Sequence, residues 1–206
     1  GPAPHRAQTV GLLLAYLGDP DAKTMKPHRM PARRALGAEG YHRWVASPVE
    51  PVAHCNLLRG VQSSIERVYP PDLERHGASR DDIASGADRL APIVNEVAQR
   101  LGVESWETYV SHRNRQVCAM EPADPPKVVV GVGLQGLSPS AKRFEIGRVM
   151  ASIIGGSILF SKVPRREIPA LLSAIIATNV RGYNRMGDPT EVNDLTKRIS
   201  RSLPRK

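Results

Sequence analysis

The side chains in this sequence with catalytic or metal-binding chemistry are six histidines, two cysteines and a few paired acids. His5, His28, His42, His54, His76 and His112 contain no pair at the i, i+3 or i, i+4 spacing that sets two imidazoles on one helical face. His54 and Cys55 are adjacent, so on a helix their side chains diverge by about 100°. A Cys–His nucleophile–base pair could still be built from distant positions, for example Cys118 with His112. Against it, Cys118 sits in an apolar strand-like run, where a cysteine packs as a small hydrophobe. His112 stands beside Arg113 and Arg115, in what reads as a solvated turn. Asp81-Asp82 in "ASRDDIAS" offers an acid pair, but carboxylates among Ser and Arg also serve as helix caps. "GVGLQG" (131–136) fits GxGxxG only when Gly131 starts it. A dinucleotide site also needs a βαβ unit and an acid about 20 residues on. No second βα repeat follows, so the expected role is a tight strand-to-helix turn.

These residues hang on elements that the pattern predicts. Residues 7–18, "AQTVGLLLAYLG", read as a short helix, and 19–34 as a Pro-rich basic arm. A compact domain is expected from Ala35. Leu58, Val61, Ile65 and Val68 recur at helical spacing and predict a helix over 52–69, stopped by Pro70-Pro71. Leu90, Ile93, Val94, Val97 and Leu101 predict another over 87–102, with Asp88 as N-cap and Gly102 as terminator. Residues 106–110, 116–120 and 127–132 read as strands, and "VVVGV" is apolar on both faces. Ser138-Pro139 then caps and opens a helix over 139–154. Its apolar residues Phe144, Val149, Met150, Ala151, Ile153 and Ile154 spread around most of the cylinder, which predicts a central, buried helix. Ile168, Leu171, Leu172, Ile175 and Ile176 predict a core face for a helix over 164–182. Val192, Leu195 and Ile199 form a thin seam near the end. The fold class is α+β, mostly helical, with about three strands (106–132) packed on the helix 139–154.

An apolar share of 41% allows a real core, while aromatics at 4% leave little for stacking single-stranded nucleic acid. Lys and Arg number 29 against 20 Asp and Glu, giving +9. That balance suits a solvated basic surface or an anionic partner. The basic residues concentrate at the two ends: Lys23, Lys26, Arg29, Arg33 and Arg34, then Lys197, Arg198, Arg201, Arg205 and Lys206. Two cysteines far apart fit buried free thiols of a cytoplasmic protein. No run reaches the roughly 18 apolar residues of a membrane span. Gly1-Pro2 is what a cleaved protease site leaves, so the chain is expected to be part of a longer protein.

Five stretches in order, "RALGAEGYHRWV", "IERVYPPDLERHGASRDDI", "ADRLAPIVNEVAQRLGVESWETYV", "MEPADPPKVVVGVGL" and "LSPSAKRFEIGRVMASIIGG", carry a resemblance over about residues 33–203. They resemble the C-terminal domain of large bacterial tetratricopeptide-repeat proteins, which is similar to a zincin metallopeptidase without its catalytic residues. The resemblance implies a zincin-like packing, with the repeats upstream of this chain. A zincin helix carries HExxH, two zinc-binding His one turn apart and a Glu as general base. The matching positions are Gly147, Arg148, Val149, Met150 and Ala151. Gly147 and Ala151 have no ligand atom, and Arg148 is a cation where a base is needed. Gly155-Gly156 stands where such a helix continues into Gly-His. Glu145 and Arg148, at i, i+3, are expected to satisfy each other inside the emptied metal cavity.

The expectation is therefore a non-catalytic pseudo-metallopeptidase domain over 35–206, acting as a protein-interaction or scaffolding module, preceded by the helix and arm 1–34. It needs no cofactor or metal. Its expected partner is a protein, with residues 1–34 available for oligomerisation by docking or swapping. The alternatives are nucleic-acid or anionic-surface binding through the basic flanks, and an enzyme with an unrecognised site.

Overall fold

The computed structural model describes residues 35–46, 52–86, 88–180 and 182–202. The helix expected over 7–18, the arm 19–34 and its basic residues lie outside the described residues, as do Arg205 and Lys206. The elements run α1 (Gly37–Trp44), α2 (Val52–Gly60), α3 (Gln62–Ile65), α4 (Ala91–Leu101), β1 (Glu107–Ser111), β2 (Cys118–Glu121), β3 (Lys127–Gly131), α5 (Pro139–Gly155), α6 (Ile168–Asn179) and α7 (Pro189–Ser202). This is an α+β fold.

Strand β3 is central. It pairs in parallel with β1 and antiparallel with β2, in the order β1-β3-β2. Val128, Val129 and Val130 are each 0% exposed, because both faces of the sheet are covered. Alternation sends Val128 and Val130, with Val110 and Met120, into the main core beside α4 and α5. It sends Val129, with Tyr109, against Leu73 and Ala78 of a strap, residues 70–83, that crosses the other face. The strap is tied down by Ser111 Oγ donating to the Gly77 carbonyl (2.7 Å) and by a bridge between Ile83 and Tyr109.

Several boundaries differ from the sequence pattern for local reasons. The helix expected over 52–69 breaks at Gly60, a poor helix former, and Val61 leaves helical geometry (ψ 6°) while staying in the core. Asp88 does not cap α4. Its carboxylate accepts from Ser85 N (2.9 Å), and Leu90 takes the N-cap position with Pro92 in the first turn. Helix α5 begins as expected, with Ser138 Oγ accepting from Ala141 N (3.3 Å). It is not buried all round. Ile146, Val149, Met150 and Ile154 face the core, whereas Phe144 is 49% exposed and Arg143 and Arg148 point outward. Gly156 ends α5 at φ 75°, where an added Cβ would sit 2.6 Å from the Cys55 carbonyl oxygen of α2. Helix α6 is preceded by a 3-10 turn, Arg165–Glu167. Its most buried stripe is Ala170, Leu171, Ser173, Ala174 and Ile175, because small side chains let α7 approach. Helix α7 buries Val192, Leu195 and Ile199, and Asp188 caps it by accepting from Thr190 N and Glu191 N (2.9 Å each).

Candidate functional site

The strap-facing side of the sheet carries a row of charges. Register sets Glu107 of β1 and Glu121 of β2 on either side of Lys127 of β3. Lys127 Nζ donates to Glu107 and reaches Tyr109 Oη at 3.4 Å, and Tyr109 Oη donates to Glu107 Oε2 at 2.8 Å. The hydrogen bonds from Lys127 and Tyr109 hold the Glu107 carboxyl below its ordinary range. Burial works against the Lys127 ammonium, but the bonds to Glu107 and Tyr109 outweigh it and raise its pKa.

Glu121 is the deepest charge, 1% exposed. His76 Nε2 meets its Oε1 at 2.8 Å, Asp72 N donates to its Oε2 at 3.0 Å, and Lys162 Nζ donates to the same oxygen. Burial pushes this carboxyl up, and the bonds from His76, Lys162 and Asp72 N pull it down further, to a net value below the ordinary range. Lys162 also donates to the Pro70 carbonyl. One carboxylate thus joins the strap, β2 and the turn before α6. A carboxylate–imidazole pair is also how enzymes orient a histidine. Among the described residues, the bonds to the Glu121 oxygens from His76, Asp72 N and Lys162 tie separate segments together.

Beside the row lies a cleft of about 650 Å³ lined by Glu66, Asp72, Glu74, Arg80, Glu107 and Lys127, among others. Glu66 accepts from Asp124 N (3.2 Å) and Asp72 from Arg75 N (3.0 Å). Among the described residues, the Glu74 and Arg80 side chains have no ion-pair partner.

The residues singled out by sequence take other places. Glu145 and Arg148 do pair (3.1 Å), but at the surface: their side chains are 37% and 59% exposed. The expectation of a buried pair in an emptied cavity is corrected, because α5 turns that stripe to solvent. Gly147 faces α4, where an added Cβ would meet Val97 Cγ1 at 3.9 Å, and Ala151 is half-buried. Cys118 lies on the core face of β2, and burial pushes its thiol up to about 12, far from a thiolate nucleophile at neutral pH. His112 is exposed in the loop between β1 and β2. Asp82 accepts from Ser79 N (2.7 Å) and Ser79 Oγ (2.8 Å), a capping box on a 3-10 turn. In "GVGLQG", Gly131 N and Gly133 N donate to the Val117 and Arg115 carbonyls (2.7 Å each), so these glycines admit another loop of the chain.

Of the basic flanks, Lys197, Arg198 and Arg201 are exposed on α7, and Arg198 donates to the Val68 carbonyl (3.0 Å). The Glu121 cluster was missed. Its sequence signal is the alternation Met120-in, Glu121-opposite at the end of β2, hidden because "EPADPP" reads as a turn. Among the described residues no helix is long and apolar enough to cross a membrane. No family model, curated protein or solved structure matches the chain.

Proposed function

We propose that this chain is a non-catalytic protein-interaction or scaffolding module: a pseudo-metallopeptidase-like domain of a cytoplasmic tetratricopeptide-repeat protein. The observation that carries the reading is the use α5 makes of the three positions where a zincin helix would hold its metal and base. Gly147 gives its face to packing against Val97, Ala151 is half-buried, and Arg148 forms a surface ion pair. A helix committed in this way serves as scaffold. The raised Cys118 thiol and the fully bonded Glu121 support the same reading, since each is occupied in holding the fold.

The cleft between strap and sheet is the natural seat for a partner segment. Its floor is fixed by the Glu107–Lys127 pair, and its rim presents Glu74 and Arg80. The test is capture of partners from lysate of the source organism on the immobilised full chain, washed at low and high salt. A discrete protein retained through high salt is expected. Turnover of peptide substrates by the purified chain, abolished by a metal chelator, would overturn the proposal.

A further inference from the structure

The fold assembles a cationic surface that no single stretch of sequence displays. Three segments meet at the backbone of residues 68–70. Arg198 of α7 donates to the Val68 carbonyl, Tyr69 Oη donates to Glu167 Oε2 (3.2 Å), and Lys162 donates to the Pro70 carbonyl. These bonds bring together Arg67, Arg165, Arg166 and Arg198, with Lys197 and Arg201 on the same helix. All six are exposed. The nearby acids among the described residues include Glu66, whose carboxylate accepts from Asp124 N (3.2 Å), and Glu167, Glu191 and Asp194. Glu167 is engaged by Tyr69 and stands 4.0 Å from Arg166, and Asp194 stands 3.8 Å from Arg198. Among the described residues, Arg67, Arg165, Lys197 and Arg201 have no carboxylate within ion-pair distance.

We propose that this surface docks on the phosphate backbone of duplex DNA without reading its sequence. Five of the six cations are guanidiniums, the group whose planar fork matches phosphate oxygens. Duplex DNA presents one negative charge per about 1.7 Å of axis, so cations drawn from three segments find phosphates closely spaced along it. A membrane surface fits less well, because an interfacial site also inserts apolar side chains. Among the described residues, the exposed large hydrophobics, Val45, Ile83, Phe144, Val180 and Met186, all lie on other segments. Single strands fit less well too. They need exposed aromatic platforms, and Tyr69 is half-buried with its hydroxyl held by Glu167. This inference does not depend on the partner proposed for the cleft, although the two surfaces adjoin, since Arg67 borders a hollow with Glu66, Pro71 and Arg80 of the cleft lining.

The test is fluorescence anisotropy of the full chain with a labelled duplex DNA of roughly 20 base pairs, between about 50 and 200 mM salt. Wild type is expected to bind, and to lose at least tenfold in affinity across that range. The triple variant Arg67→Gln/Arg165→Gln/Arg201→Gln should bind at least tenfold more weakly at low salt, with a salt slope shallower by about two to three. Its melting temperature should match wild type, since among the described residues none of the three side chains makes an ion pair or a hydrogen bond. A control variant with Lys23, Lys26 and Arg29 changed to Gln separates the patch from the N-terminal charges. The proposal is overturned by equal binding of wild type and the patch variant, by a loss confined to the control variant, by no duplex binding, or by tighter binding to duplex RNA or to phosphatidylserine vesicles.

Discussion

Glu121 holds together segments that are far apart in the sequence, and its chemistry sets what can be expected of it. Replacing it with Gln leaves the Lys162 ammonium buried and uncompensated. Breaking a buried pair in this way costs about 3 kcal/mol or more. Glu121→Gln should therefore lower the melting temperature by on the order of 10 °C. A drop of only a degree or two in calorimetry would show that the cluster contributes little. The pH dependence has a definite sign. The folded carboxyl titrates below its unfolded value of about 4.3, so its stabilisation is present above that pH and is lost as pH falls through the folded pKa. The stability gap between wild type and Glu121→Gln should close in acid. Urea midpoints at stepped pH would check this, and a gap that widens in acid would contradict it. Arg148→Ala is the contrasting case. Its ion pair is exposed, so the expected loss is under about 0.5 kcal/mol, and a large loss would mean the pair is not where it is described. The two carboxylates differed in legibility for a physical reason. Glu145 and Arg148 share a helix, so spacing exposes their contact. His76, Glu121 and Lys162 meet only through tertiary packing.

At the scale of elements, the turn after β3 shows why glycine clusters mislead. A Cβ on Gly131 would lie 2.3 Å from the Arg115 carbonyl oxygen, and one on Gly133 would lie 2.5 Å from the same atom. Both clashes are with backbone, which cannot swing aside. Gly131→Ala should destabilise by roughly 1–3 kcal/mol, measurable as a shifted denaturation midpoint at unchanged slope, and an unshifted midpoint would contradict the close approach. Element identity was largely legible: the three strands, α4, α5 and α6 follow from their apolar period, and Ser138 caps α5 as expected, whereas the thin seam of Val192, Leu195 and Ile199 did not by itself announce α7. Their burial was less so. In α5 the residues Phe144, Ala151 and Ile153 read as core by hydropathy, yet Phe144 lies on the open side. One helix needs only one covered face, and sequence does not say which neighbours supply it. The break at Gly60 was missed because the apolar spacing of Leu58, Val61, Ile65 and Val68 runs straight through it, although all four are buried.

At the scale of the whole molecule, the sheet separates two environments. Its α4–α5 side is an apolar core, and its strap side holds the Glu107–Lys127–Glu121 row and the cleft. The cationic surface at 67–70 adjoins the cleft and extends over the turn before α6 and over α7. None of this arrangement is visible along the chain, where Glu66, Glu74, Arg80, Glu107 and Lys127 fall in separate stretches. It follows from strand order and from the strap's path. We propose that the scaffold presents the cleft to a protein partner. It is tested most directly by capturing partners from lysate of the source organism at high salt, on wild type and on the charge-reversed variant Glu74→Lys/Arg80→Glu, side by side. Both side chains are exposed and lack ion-pair partners among the described residues, so the variant should fold and melt like wild type. The account predicts a discrete protein held by wild type and depleted at least tenfold on the variant. Equal recovery on both would contradict it.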